Sequence, residues 1–82
     1  MVVRYPLLTE KAVNLIEKEN KIVFVVDKNA TKQEIKEEVE ELYGVKVDKV
    51  RTVITPKGEK RAFVKLIGKN AASDLATKLN II

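Results

Sequence analysis

The sequence predicts an α+β domain of the split β-α-β, ferredoxin-like class, in which an antiparallel sheet of three to four strands carries its helices on one face. Helix and strand periodicities alternate along the chain in the order helix, strand, helix, strand, strand, helix. A short Pro-Lys-Gly turn separates the last two strands, so these strands should form a hairpin. Residues 1–82 are expected to be a single domain, because a chain of 82 residues encloses only one modest core.

The first two elements are a short helix and a strand. Pro6 fixes an extended start, and Thr9 is suited to cap a helix that ends near residue 20. The apolar positions of this helix are Ala12, Val13 and Ile16. The run from Lys21 to Asp27 is almost continuously β-branched or aromatic and is too short for a helix, which predicts a strand in the centre of the sheet.

The second helix is the most clearly delimited element. Thr31 and Glu34 form a capping box, and Gly44 is suited to end the helix in the left-handed conformation. Its apolar stripe is Ile35, Val39, Leu42 and Tyr43. The glutamates fall on the opposite face and are interpreted as a solvated surface. Lys32 and Lys36 flank the stripe, where they either cover the edge of the core with their alkyl stems or reach phosphates from the rim of the sheet.

Strict alternation predicts the two strands of the hairpin, at 49–55 and 61–67. One face carries Val50, Thr52, Ile54, Ala62, Val64 and Leu66 and suits the side covered by helices. The other face carries Lys49, Arg51, Val53, Arg61, Phe63 and Lys65. This second face is either an ordinary basic surface in solvent or a binding surface. Like charges in cross-strand rows are destabilising, which favours a partner that neutralises them.

A third helix follows the hairpin. Asn70 is predicted to cap it, and Leu75, Ala76 and Leu79 form its apolar face. Asn80, Ile81 and Ile82 then add either a short edge strand or a packed tail.

Charge is sorted along the chain. Residues 45–69 carry eight Lys or Arg against two acids, whereas residues 31–44 carry five Glu against two Lys. Because the basic block is predicted to be a rigid hairpin, its cations should form a fixed array that suits a polyanion with a regular phosphate lattice.

Composition argues against catalysis. The chain has no His, no Cys and one Ser, so neither a catalytic triad nor a thiol nucleophile can be assembled. It also offers no metal-ligand spacing and no Gly-rich phosphate loop, so no enzyme activity, metal, cofactor or small-molecule substrate is expected. No run approaches the roughly 18 apolar residues of a membrane span, and no signal peptide is apparent, which predicts a cytoplasmic protein without membrane insertion.

Several segments together carry a resemblance to a known family. They are Pro6-Leu7-Leu8-Thr9-Glu10-Lys11-Ala12, Ala30-Thr31-Lys32-Gln33-Glu34-Ile35-Lys36, Val50-Arg51-Thr52 and Lys60-Arg61-Ala62-Phe63-Val64-Lys65-Leu66. In this order they resemble the large-subunit ribosomal protein L23 family across nearly the whole chain. The short turn at 55–60 is similar to archaeal-type members rather than to bacterial members, which extend it into a long hairpin.

The resemblance implies a ribosomal role, with Lys11, Lys32 and Lys36 in contact with RNA in addition to the basic sheet face. The protein would bind large-subunit ribosomal RNA, in its third domain, beside the exit of the polypeptide tunnel. Neighbouring ribosomal proteins and nascent-chain factors such as the signal recognition particle would be further partners, with Glu10 as the residue for factor docking. The candidate residues for binding rRNA are Arg4, Thr9, Lys11, Lys32, Lys36, Lys49, Arg51, Thr52, Lys57, Lys60, Arg61, Phe63 and Lys65.

The alternative is a domain similar to an RNA-recognition motif, which binds single-stranded RNA by stacking bases on aromatic side chains of the sheet. Arg61 stands where that motif requires an aromatic residue, and Lys60 stands where it requires Gly. With aromatic residues at only 5% of the chain, phosphate contacts to folded RNA are the better source of affinity.

Overall fold

The protein is a four-stranded antiparallel sheet with three helices, as seen in a computed structural model that describes residues 1–80. In chain order the elements are strand β1 (Val3–Pro6), helix α1 (Glu10–Glu19), strand β2 (Lys21–Val26), helix α2 (Lys32–Tyr43), strand β3 (Val47–Ile54), strand β4 (Lys60–Leu66) and helix α3 (Ala71–Lys78). The strands lie in the order β1-β2-β4-β3. The predicted α+β, ferredoxin-like class is confirmed, and the extended start at Pro6 proves to be a fourth strand.

The main core lies between one face of the sheet and the three helices. Phe24 of β2 is fully buried at its centre, and its ring stacks on Tyr43 with the centroids 5.7 Å apart. Two of the three buried residues of α3 are alanines, so this helix presents little bulk to the core. The other buried members are Val3, Ile16, Ile22, Val26, Ala30, Ile35, Val39, Val47, Ala62, Val64, Leu66, Ala72, Leu75 and Ala76.

The predicted caps of the first two helices are confirmed. The Thr9 hydroxyl oxygen accepts a hydrogen bond from the Ala12 N–H at 3.2 Å. At α2 the capping box is complete, because the Thr31 N–H donates to the Glu34 carboxylate at 3.0 Å and the Glu34 N–H donates to the Thr31 hydroxyl oxygen at 3.1 Å. Gly44 ends α2 with a φ of 65°, a conformation that costs glycine little.

Two side chains that were predicted to belong to the core are exposed. Leu42 is 45% exposed, because Ile35, Val39 and Tyr43 occupy the side of α2 that faces the sheet. Ile54 is 62% exposed, since it ends an edge strand at the hairpin turn, where it pairs with Lys60 instead of meeting a helix. The prediction that both side chains belong to the apolar core is therefore wrong.

The interpretation of the acidic face of α2 as a wholly solvated surface is also wrong. The Glu38 carboxylate accepts hydrogen bonds from the N–H groups of Val2 and Val3, which ties β1 to the helix. The Glu40 carboxylate accepts from the Val47 N–H at 2.9 Å, which ties the helix to β3. Hydrogen bonds to a charged group are stronger than neutral ones, so these two glutamates help to fix α2 across both edges of the sheet.

Asn20 replaces Asn70 as the residue that caps α3. Asn70 makes no capping hydrogen bond with its side chain, contrary to the prediction. Instead the Asn20 Oδ1 accepts from the Ala72 N–H at 2.8 Å, while its Nδ2 donates to the carbonyls of Leu66 and Gly68, both at 2.9 Å. Asn20 itself has a left-handed φ of 56°, which ends α1. Together with the hydrogen bonds of its side chain, this one residue therefore ends α1, holds the end of β4 and starts α3.

The part of the chain that the structure describes ends just after α3. Asn80 follows α3 as a turn residue, and the predicted strand or tail at Ile81 and Ile82 lies outside the described residues. Within residues 1–80, no helix is both long enough and apolar enough to cross a bilayer.

Candidate nucleic-acid interface

The sheet surface opposite the main core is basic, and we call it the open face. Strand alternation places Lys49, Arg51 and Val53 of β3 on this surface, with Arg61, Phe63 and Lys65 of β4 beside them. The predicted assignment of these six side chains to one face is confirmed. Pairing with the other strands adds Tyr5, Lys21, Val23 and Val25.

Three lysines lie side by side across the open face. Lys21 of β2 pairs with Lys65 of β4, which pairs with Lys49 of β3, and we call this set the lysine row. Neighbouring strands are about 4.8 Å apart, so the backbone positions of the three lysines span only about 10 Å. Lys21 forms an ion pair with Glu19 at 3.0 Å, and among residues 1–80 neither Lys49 nor Lys65 has an acidic partner. The row therefore carries unneutralised charge at a cost to the sheet.

The next row mixes an aromatic ring with a cation. Val23, Phe63 and Arg51 pair across the sheet beside the lysine row. Phe63, Arg51 and the three lysines line one depression, which we call the basic depression. In the part of the chain that the structure describes, Phe63 stacks on no other ring. Phe63 instead pairs with Arg51 of β3 and lies among the cations that line the depression.

A second concavity, here called the α1 cleft, lies where helix α1 borders the open face. Its lining comes from the β1–α1 connection, α1 and the sheet, and consists of Leu7, Thr9, Lys11, Ala12, Leu15, Val23, Arg61 and Phe63. The fold thus brings four predicted RNA-binding residues together from two distant segments, 9–11 and 61–63. The Arg61 Nε donates to the Glu59 carboxylate at 2.9 Å, so part of its charge is already neutralised.

Arg4 and Lys57 lie toward the hairpin turn rather than in the lysine row. Arg4 lines a concavity with Tyr5, Lys28 and Lys60, and Lys57 lines one with Arg61. The Arg4 guanidinium lies 3.5 Å from the Asp27 carboxylate. The Asn29 N–H, and to a smaller degree Arg4, lowers the pKa of Asp27 below its ordinary value.

Four other candidates lie away from the open face. Thr52 pairs with Ala62 on the helix-covered side, and the Lys60 Nζ donates to the Ala30 carbonyl at 2.7 Å on that same side. Lys32 and Lys36 precede Glu40 on α2 at four-residue spacing, and Glu40 bonds to β3, so these lysines lie on the flank of α2 that faces this edge strand. Any contact they make with RNA must reach around the rim of the sheet.

Lys21 and Tyr5 belong to the open face but are absent from the predicted site. Lys21 begins a strand whose other residues are all apolar, so the alternation that would assign its face is hidden. Tyr5, which is 51% exposed, follows a register shift in β1 at Arg4. In the sequence, only the charge of Lys21 could have indicated a role in binding. That charge becomes informative once the pairing of Lys21 with Lys65 is known.

Glu10 lies outside these concavities. It occupies the first turn of α1, where a carboxylate is favoured by the helix dipole, and its side chain is exposed. Lys11, the next residue, lines the α1 cleft. At about 100° per residue, Glu10 falls on the opposite side of α1 from Lys11, Ala12 and Leu15, so its side chain projects away from the cleft.

Comparison with known proteins identifies a matching family and similar relatives. The family model described as ribosomal protein L23 matches residues 1–78. The large ribosomal subunit protein uL23 of Pyrobaculum aerophilum is 58% identical over 76 residues, which cover 93% of this chain and 94% of that protein.

Proposed function

The chain belongs to the ribosomal protein L23 family, and from this premise we propose that it is a structural constituent of the large ribosomal subunit that binds large-subunit rRNA through its open face. The site would lie in the third domain of the rRNA beside the exit of the polypeptide tunnel, with neighbouring ribosomal proteins around it. The whole chain then acts as one rRNA-binding domain on cytoplasmic ribosomes. A family of ribosomal structural proteins also agrees with the prediction that the chain is not an enzyme.

The observation that carries this proposal is the lysine row, which lines the basic depression together with Arg51 and Phe63. Lys49, Lys65 and Arg51 have no acidic partner within residues 1–80, and Lys49 and Lys65 repel each other as a direct cross-strand pair. A phosphate backbone would neutralise this charge and release its own counterions, which favours association. The repulsion that the isolated sheet tolerates is then relieved in the complex.

Four further candidates lie at the margins of the same surface. Lys11 and Thr9 extend the basic surface onto α1, and Arg4 and Lys57 extend it toward the hairpin turn. Phosphate contacts of this kind fix orientation and register but read no sequence. We therefore propose that shape and charge of the folded rRNA, rather than a single-stranded sequence, determine where the protein binds.

Sedimentation tests the ribosomal assignment directly. The endogenous protein is expected to remain with the large ribosomal subunit through a high-salt wash, because many phosphate contacts within an assembled particle act together. Recovery only in free fractions, or in fractions bound to messenger RNA, would contradict the proposal and favour the single-stranded RNA-binding module.

We also propose that the outer surface of α1 docks nascent-chain factors such as the signal recognition particle, with Glu10 as a contact. Its carboxylate is exposed and projects away from the α1 cleft, so it would stay accessible when the open face is against rRNA. The helix dipole alone gives a glutamate here only about 0.3–1 kcal/mol. Its removal should therefore affect docking more than folding.

Glu10→Ala is expected to leave incorporation into ribosomes intact and to weaken binding of the targeting factor to the assembled subunit. Glu41→Ala is the matched control, because Glu41 is also an exposed helical glutamate but lies on α2. Binding is measured with purified mutant ribosomes and the signal recognition particle. If both mutant ribosomes bind the particle as tightly as wild type, Glu10 serves only to start the helix and the docking surface lies elsewhere.

A further inference from the structure

The α1 cleft offers chemistry that phosphate contacts do not use. Its floor consists of Ala12, Leu15 and Val23, of which Ala12 and Val23 are almost fully buried. The half-buried ring of Phe63 forms one wall. An apolar floor beside an aromatic ring gains little from a charged phosphate, but it matches a flat group with a π face.

The rim of the cleft carries hydrogen-bond donors. Lys11 is exposed, and Arg61 keeps guanidinium N–H groups beyond the one that bonds to Glu59. The Thr9 hydroxyl uses its oxygen to accept from the Ala12 N–H, so its own proton remains available to a ligand. Donors around an apolar floor suit a nucleobase, whose faces stack and whose edges carry acceptors.

Phe63 joins the cleft to the basic depression, because its ring lines both. A group in the cleft that contacts Phe63 would therefore lie next to the cations of the basic depression. A nucleotide has this arrangement, since its base and its phosphates are separated by the sugar. An apolar side chain of a neighbouring protein would fill the floor but would leave the cations of the rim without anions.

We infer that the α1 cleft receives one unstacked base of the bound RNA, which stacks on Phe63 while its adjacent phosphates lie over the basic depression. This inference rests on the proposed rRNA binding and deepens it. The site differs from a platform for single-stranded RNA, because it holds one base and leaves the rest of the contact to phosphates. It also adds a contact to a base, which the phosphate contacts of the lysines do not provide.

Filling the cleft tests the inference. Leu15→Trp adds bulk inside the cleft, and Val13→Trp is the control, because Val13 is a half-buried residue of α1 that does not line the cleft. The full chain is bound to a transcript of the third domain of large-subunit rRNA, and unpaired bases are probed with dimethyl sulfate and carbodiimide. Wild type and Val13→Trp should protect at least one unpaired base that Leu15→Trp leaves reactive. An identical protection pattern for all three proteins overturns the inference.

The ring itself is tested with a conservative pair. Phe63→Leu is expected to weaken binding of the transcript by about 5- to 150-fold, the loss typical of a removed stacking partner, whereas Phe63→Tyr should bind like wild type. Unchanged affinity of Phe63→Leu overturns the inference. Wild-type binding with a strong salt dependence but no base protected through the cleft refutes this inference alone, whereas no binding by the wild-type protein refutes the proposed function as well.

Discussion

Replacing both Lys49 and Lys65 with alanine is expected to weaken binding to the third-domain rRNA transcript by roughly 10- to 40-fold at 0.15 M salt. Each lost phosphate contact removes about 0.7–0.9 from the slope of log K against log salt, so the slope should fall by about 1–2 units. Both lysines belong to the lysine row and point away from the main core. Affinities measured across a salt titration give both quantities.

The control for this variant is Lys78→Glu on α3, which lowers the net charge by the same two units but on the helical side of the protein. It should change the affinity and the salt slope little, because general attraction to RNA is screened beyond about 10 Å. The double alanine variant should also fold at least as stably as wild type, since it relieves repulsion between directly paired lysines. Equal salt slopes for wild type and the double variant would show that the lysine row does not contact phosphates.

Asn20→Ala is expected to lower the free energy of unfolding by about 2–4 kcal/mol. The substitution removes three hydrogen bonds, which connect the end of α1 to Leu66, Gly68 and Ala72. It also forces alanine into the left-handed conformation at a φ of 56°, which costs a residue with a Cβ roughly 1–2 kcal/mol. Urea denaturation measures the loss as a lower midpoint at an unchanged slope.

Asn20→Gly separates the two contributions. Glycine loses the same three hydrogen bonds but adopts a positive φ without strain, so this variant should be more stable than Asn20→Ala by about 1 kcal/mol. The matched control is Asn70→Ala, because Asn70 has a φ of 59° but no capping hydrogen bond from its side chain. If Asn20→Ala costs no more than Asn70→Ala, the hydrogen bonds of Asn20 do not hold the third helix.

The elements that depend on neighbouring residues could be predicted from the sequence. The capping box at Thr31 and Glu34 and the left-handed Gly44 define α2, because these signals act within a few residues. Alternation in β3 and β4 assigned the cations and Phe63 to one face, since side chains of a strand point to opposite sides in turn. The family likeness also lay in the sequence itself, and it was confirmed by the match over residues 1–78.

Only the tertiary structure decided which residues meet. A bulge at Asp48 turns Val47 into the main core and leaves Lys49 on the open face, a switch that regular alternation does not predict. The pairing of β2 with β4 adds Lys21 to the lysine row, and the packing of α1 beside the sheet forms the α1 cleft. The sequence by itself therefore determined the helices, the hairpin and the basic character of one face. Strand partners, bulges and clefts arise from contacts between distant segments of the chain. A local sequence pattern does not reveal the relative energies of these contacts, so it cannot predict which of them form.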